Sequence, residues 1–144
     1  MTDVEILKPA VVLMAWTMVM WLWMYATRIP AMSKASDIDI ANMTGGKGSD
    51  LDNALPAATQ WKAHNYNHLH EAPTVFYAAA LTLAIIGQGE GLNVLLAWIY
   101  VGLRITHSLV QATANKVMVR FVLFALSSIV LIILIIHAAV SLFR

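Results

Sequence analysis

The sequence predicts an all-α integral membrane protein whose protomer is a four-helix bundle. Three observations lead there. The first is composition: 60% of the 144 residues are hydrophobic and only 12% are charged, whereas a soluble domain is about 45–50% apolar and about 25% charged. The mean hydropathy of +0.71 has the same origin. The second is that the apolar residues gather into four stretches, the first, third and fourth of the length a spanning helix needs, about 17–25 residues. The third is that the cations sit asymmetrically. Arg28, Lys34, Lys47 and Lys62 lie between the first and second stretches, and Lys116 and Arg120 between the third and fourth. The other side has only Lys8 and Arg144. The positive-inside bias then puts the two long loops in the cytoplasm and both termini outside, as an even number of spans requires.

The first span covers about residues 9–27. Asp3 and Glu5 spoil the positive start of a secretory signal, and the apolar run exceeds the usual core of about 7–15 residues. The stretch therefore reads as an anchor, and "AMS" after it as an accidental likeness to a cleavage site. Residues 28–60 form the extended polar region, with "MTGGKGSDLDNALP" rich in turn formers. Its "GGKGS" fails as a phosphate loop because glycine, not serine or threonine, follows the lysine. Asp52 or Asn53 is placed to cap a helix starting near Ala54, with Pro56 tolerated in its first turn.

The second span, about 55–86, reaches membrane length only if the polar "KAHNYNHLHEAP" belongs to the same helix, bent at Pro73. "GQGEG" makes a tight turn into the third span, about 92–113, and "TANKVM" turns into the fourth, about 120–143. No repeat is visible, so residues 1–144 form one domain. The absence of cysteine removes disulfides and any thiol nucleophile of the protein's own, so thiol chemistry would need a thiol substrate. A net charge of +1 offers nothing to a nucleic acid.

Two polar faces stand out. On the second span His64, Asn67 or His68, and Glu71 recur at helical spacings of three and four. On the third span Tyr100, Arg104, His107 with Ser108, Gln111 and Asn115 do the same. Arginine at the centre of a span costs about 2.5–3.5 kcal/mol on insertion scales, so Arg104 must face a partner or a wet cavity. Glu71 is the expected anion for it. Such a pair can pin two helices, but a face with this many polar groups can also cradle a polar ligand. His64 and His68, four apart, with Glu71 would alternatively suit one zinc ion. His137 reads as a packed or hydrogen-bonded histidine. The five tryptophans suit interface belts or lipid contact.

"NHLHEAPTVFYAAAL" followed by "AWIYVGLRITHSLVQATANKVMVRF" resembles the MAPEG family, the membrane-associated proteins of eicosanoid and glutathione metabolism. The likeness covers about residues 60–143 and matches a divergent, bacterial-looking member. It rests chiefly on R-x-x-H at Arg104 and His107 with a further arginine, Arg120, after a short turn. The resemblance implies a homotrimer of four-helix protomers binding glutathione between neighbours at the cytoplasmic side. By position Glu71 would hold the tripeptide, Arg104 and His107 would line its site, and Arg120 would be catalytic by stabilising the thiolate. Arg28 would be a further ligand, as would the neighbouring His64, Asn67, His68 and Gln111. Three positions depart from the pattern. His64 stands where the family usually has arginine, His68 where it has asparagine, and Gln111 where many members have tyrosine.

The expectation is a glutathione-dependent transferase or peroxidase acting on apolar electrophiles or lipid hydroperoxides, with glutathione as thiol co-substrate and no metal. Membrane lipid and two further copies are the expected neighbours, with a larger membrane complex as a further possibility, and the bacterial inner membrane is the expected location. The alternatives are a non-catalytic assembly or accessory subunit and a metal-binding membrane enzyme.

Overall fold

The computed structural model describes residues 4–144, so Asp3 lies outside the described residues. Among these the regular structure is helical: α1 (Leu7–Lys34), α2 (Ala57–His68), α3 (Ala72–Ile85), α4 (Leu92–Ala112) and α5 (Val117–Leu142), with two short 3-10 turns in the loop after α1. Helices α1, α4 and α5 are long and apolar enough to cross a membrane. Helix α3 has 14 residues, about 21 Å at 1.5 Å per residue, which falls short of a hydrocarbon core about 30 Å thick. The polar α2 precedes it, and together the two cover the stretch expected for the second passage.

That passage is two helices rather than the single bent helix over 55–86 that the sequence suggests. The chain leaves helical geometry at Glu71 (φ −88°, ψ −104°). Pro73 is the cause: it lacks an N–H for the carbonyl four residues back and drives the preceding residues out of the helical region. The expected start of α2 is also displaced. The helix begins at Ala57 after Pro56, with no side-chain cap. Asp52, expected as a cap, instead accepts hydrogen bonds from Gln60 Nε2 at 2.6 Å and the His64 ring at 2.9 Å. It straps the loop down against the flank of α2.

Helix α1 continues to Lys34, past the expected end near residue 27 and through Pro30. Its 28 residues extend about 42 Å, more than a hydrocarbon core about 30 Å thick. At the other end, the Ile6 N–H binds the Gly89 carbonyl at 3.1 Å, tying the chain start to the α3–α4 turn. Gly87 and Gly91 bracket that turn at positive φ, which an L side chain rarely adopts.

Helix α4 packs against α1, α2 and α5, and α3 packs against α1 and α5. The core joins Leu13 and Met20 of α1, Phe76, Ala80 and Leu83 of α3, Ala97 and Tyr100 of α4, and Leu134 of α5. Phe76 stacks on Tyr100 with ring centroids 4.4 Å apart. Most large apolar side chains of α5 point outward, as for a helix whose surroundings are lipid or another apolar surface.

Candidate functional site

The polar face of α4 is buried as its spacing requires. Tyr100, Arg104, His107, Ser108 and Gln111 are all at most 5% exposed. Asn115 drops out of this stripe because α4 ends at Ala112. It adopts φ +49° in the turn, a region asparagine tolerates, and its N–H binds the Val110 carbonyl.

One end of the stripe is fully satisfied. Trp16 Nε1 donates to Ser108 Oγ at 2.9 Å, Ser108 donates to Asn65 Oδ1, and Asn65 Nδ2 donates to Gln111 Oε1 at 3.0 Å. This chain of bonds joins α1, α4 and α2. Asn65 and Trp16 were missed as functional positions by sequence reasoning, which pointed to Asn67. Asn67 is exposed, whereas Asn65 is fully buried. A signal was present: Leu69, the apolar residue within "HNYNHLHE", marks the inward face of α2, and Asn65 lies four residues before it.

One turn along α4 the situation reverses. Among the described residues, Arg104 Nε, Nη1 and Nη2, His107 Nδ1, Tyr100 OH and Arg120 Nε are buried without a hydrogen-bond partner. The Arg104 guanidinium centre lies 5.9 Å from the Phe124 ring centroid, a cation–π approach that supplies no acceptor. The expected Glu71–Arg104 pair does not form. The break between α2 and α3 turns Glu71 toward solvent, and its Oε2 meets His68 Nδ1 at 2.6 Å.

His68 lies beside His107, with ring centroids 5.0 Å apart, and 5.8 Å from Phe124. Together with Val117, Arg120 and Phe121 these residues line a cleft of about 270 Å³. Val117 and Phe121 at its rim are exposed, so the cleft opens where apolar side chains face outward. Arg120 sits in the first turn of α5 and donates from Nη1 to Asn115 Oδ1 at 2.7 Å. A cation there opposes the helix dipole, so helix stability does not account for it.

Arg28, His64 and Asn67 line a second cleft of about 390 Å³ with Gly48, Ser49 and Asp52, and it shares no lining residue with the first. Arg28 Nε donates to Gln60 Oε1 at 3.1 Å. The His64 and Gln60 hydrogen bonds hold the Asp52 carboxyl below the usual carboxylate range. Thus the sequence-predicted residues do not form one site. His68, His107 and Arg120 line the first cleft with Arg104 beside it; Arg28, His64 and Asn67 line the second; Gln111 belongs to the satisfied network, and Glu71 stands at the helix break.

Among the described residues, no group of three or more histidine, aspartate or glutamate side chains is arranged to hold a metal ion. His64 and His68 engage different carboxylates, which removes the geometry of a His64–His68–Glu71 zinc site. His137 is hydrogen-bonded rather than isolated. Its Nδ1 is 2.7 Å from Asn93 Oδ1, and Asn93 Nδ2 donates to the Gln88 carbonyl at 2.8 Å.

A family model described as the MAPEG family matches residues 6–140. No curated protein and no solved structure matches the chain.

Proposed function

The chain belongs to the MAPEG family of membrane helical bundles, and from that premise we propose that it is a glutathione-dependent transferase or peroxidase acting on apolar electrophiles or lipid hydroperoxides. The observation that carries this reading is the buried, unpartnered guanidinium of Arg104 beside an open cleft. Burying a charge without a partner is costly, and a carboxylate-bearing ligand would supply the missing acceptors through charge-assisted hydrogen bonds.

Glutathione has the complementary groups. Its carboxylates suit Arg104 and Arg28, and its ammonium suits the Glu71 oxygen not held by His68. Its thiol ionises at about 8.5 when free, and a cation beside it favours the thiolate, a role for Arg120. The thiolate then attacks an electrophile that reaches the cleft past Val117 and Phe121 from the bilayer. Because Arg28 and Arg104 serve separate clefts, one glutathione spanning both kinds of group fits a site shared between protomers. That favours a homotrimer. The lysines and arginines clustered at this end support a cytoplasmic position, as in a bacterial inner membrane.

The accessory-subunit reading, supported mainly by the departures at His64 and Gln111, expected a Glu71–Arg104 face to fix helix packing, and among the described residues that pair is absent. Helix packing relies instead on the Trp16–Ser108–Asn65–Gln111 bonds.

Calorimetric titration of detergent-purified protein with glutathione tests the proposal. Saturable binding that weakens about tenfold or more in Arg104→Met supports it. Absence of binding at millimolar glutathione overturns it.

A further inference from the structure

We infer that Glu71 and His68 form a carboxylate–imidazole dyad in which His68 takes the proton from the thiol bound in the α4–α5 cleft. This inference rests on the glutathione reading above and adds to it a base contributed by the chain itself.

The dyad follows from the helix break. His68 ends α2 and Glu71 precedes α3. On a continuous helix residues three apart lie side by side and point outward together. Here the backbone departs from helical geometry at Glu71, leaving its carboxylate at the surface while His68 remains only 18% exposed and lines the cleft. The carboxylate accepts from Nδ1 at 2.6 Å. An imidazole that donates from Nδ1 presents Nε2 as its lone-pair nitrogen. The carboxylate thus selects the tautomer, orients the ring and stabilises the imidazolium that proton uptake creates.

The other charged or titratable groups around His68 come from α4 and α5. Arg104 and His107 face it from α4, and Arg120 lies across the same cleft on α5. The two arginines bring positive charge to the cleft. They favour the anionic sulfur that forms beside His68.

The step balances without a further reagent. The S–H bond breaks and its proton bonds to His68 Nε2. The sulfur lone pair forms a C–S bond to the electrophilic carbon. The displaced electron pair moves onto the leaving group, which departs as an anion such as chloride while His68 gives its proton to water, or onto the oxygen of an opened ring, which takes the proton back from His68. Glu71 touches no reacting atom in this scheme and acts as a positioning residue.

His68→Asn tests the idea, since asparagine can hydrogen-bond at this position but cannot take the proton. Calorimetry first establishes glutathione binding to wild type and variant. The ultraviolet absorbance of the bound thiolate is then followed against pH, with S-methylglutathione as the blank, and the pH profile of conjugation to a chlorodinitrobenzene is recorded alongside. The expected result, at glutathione concentrations that saturate each protein, is a thiolate transition moved to higher pH and turnover at neutral pH reduced about 10²–10⁴-fold, the usual contribution of a general base. Glu71→Gln should move the thiolate transition in the same direction by a smaller amount. Binding with an unmoved thiolate transition in His68→Asn overturns the dyad and leaves the glutathione site standing. Failure of the wild-type protein to bind glutathione overturns both.

Discussion

Two stretches of α4, one turn apart, treat buried polarity in opposite ways. Around Ser108 and Gln111 the polar side chains find partners on α1 and α2. Around Arg104 and His107 the buried nitrogens find none among the described residues. Both stretches belong to one helix and both are buried, so the difference lies in what the neighbours provide. A satisfied network sets helix register and angle, because each bond requires its partner at a fixed place. An unsatisfied one holds hydrogen-bonding capacity in reserve, which a ligand can use and a purely structural site has no reason to keep.

The largest expected effect divides these two directly. Arg104→Met should weaken glutathione binding about 10- to 150-fold, the loss expected for a charge-assisted hydrogen bond worth about 1.5–3 kcal/mol. Its thermal midpoint in detergent should be unchanged or raised, because a buried charge without a partner has been removed. A large fall in the midpoint would mean that Arg104 holds the fold, and the contrast would collapse. Asn65→Ala should do the reverse. It leaves the Ser108 hydroxyl without its acceptor and Gln111 Oε1 without its donor and should cost about 1–3 kcal/mol of stability, read by denaturant titration, with little direct effect on the thiol. A variant of full stability would show that the network is incidental.

The Asn93–His137 pair at the far end of α4 offers a smaller sharpening. Asn93→Ala should lower stability by about 1 kcal/mol and leave glutathione binding as it was. A change in binding would connect two regions that share no contact in this structure.

The smallest effect belongs to the loop strap. The folded Asp52 carboxyl titrates below its ordinary value of 3.8 because His64 and Gln60 donate to it. Its contribution is therefore present above that value and lost as the pH falls through the lowered one. Tryptic cleavage at Lys47 should rise in Asp52→Asn by less than about tenfold, and wild type should show no comparable change between pH 5 and pH 8 from this carboxyl. A wild-type loop that loosens at pH 5 would show that Asp52 is not the residue holding it.

Much of this arrangement was legible in the linear chain. The apolar mass, the three long spans and the inward stripe of Tyr100, Arg104, His107 and Gln111 follow from one constraint: polar groups on a membrane helix turn away from lipid, and the 3.6-residue period says which they are. Pro73 marked the place where the second passage would be disturbed. The same reasoning misassigned α2, choosing Asn67 over Asn65, because a helix with polar residues on every side offers spacing but little contrast, and Leu69 alone marked the inward face.

The sequence by itself determined the membrane class, the order of the helices and the polar side of α4, because the helical repeat and the cost of exposing charge to lipid are local properties of the chain. Only the tertiary structure decided the pairings. Glu71 meets His68 and not Arg104, Trp16 serves Ser108, and Asp52 straps the loop rather than capping α2. Pairing depends on where helices distant in sequence cross and on the backbone direction at a single residue such as Glu71, and neither is written in side-chain spacing.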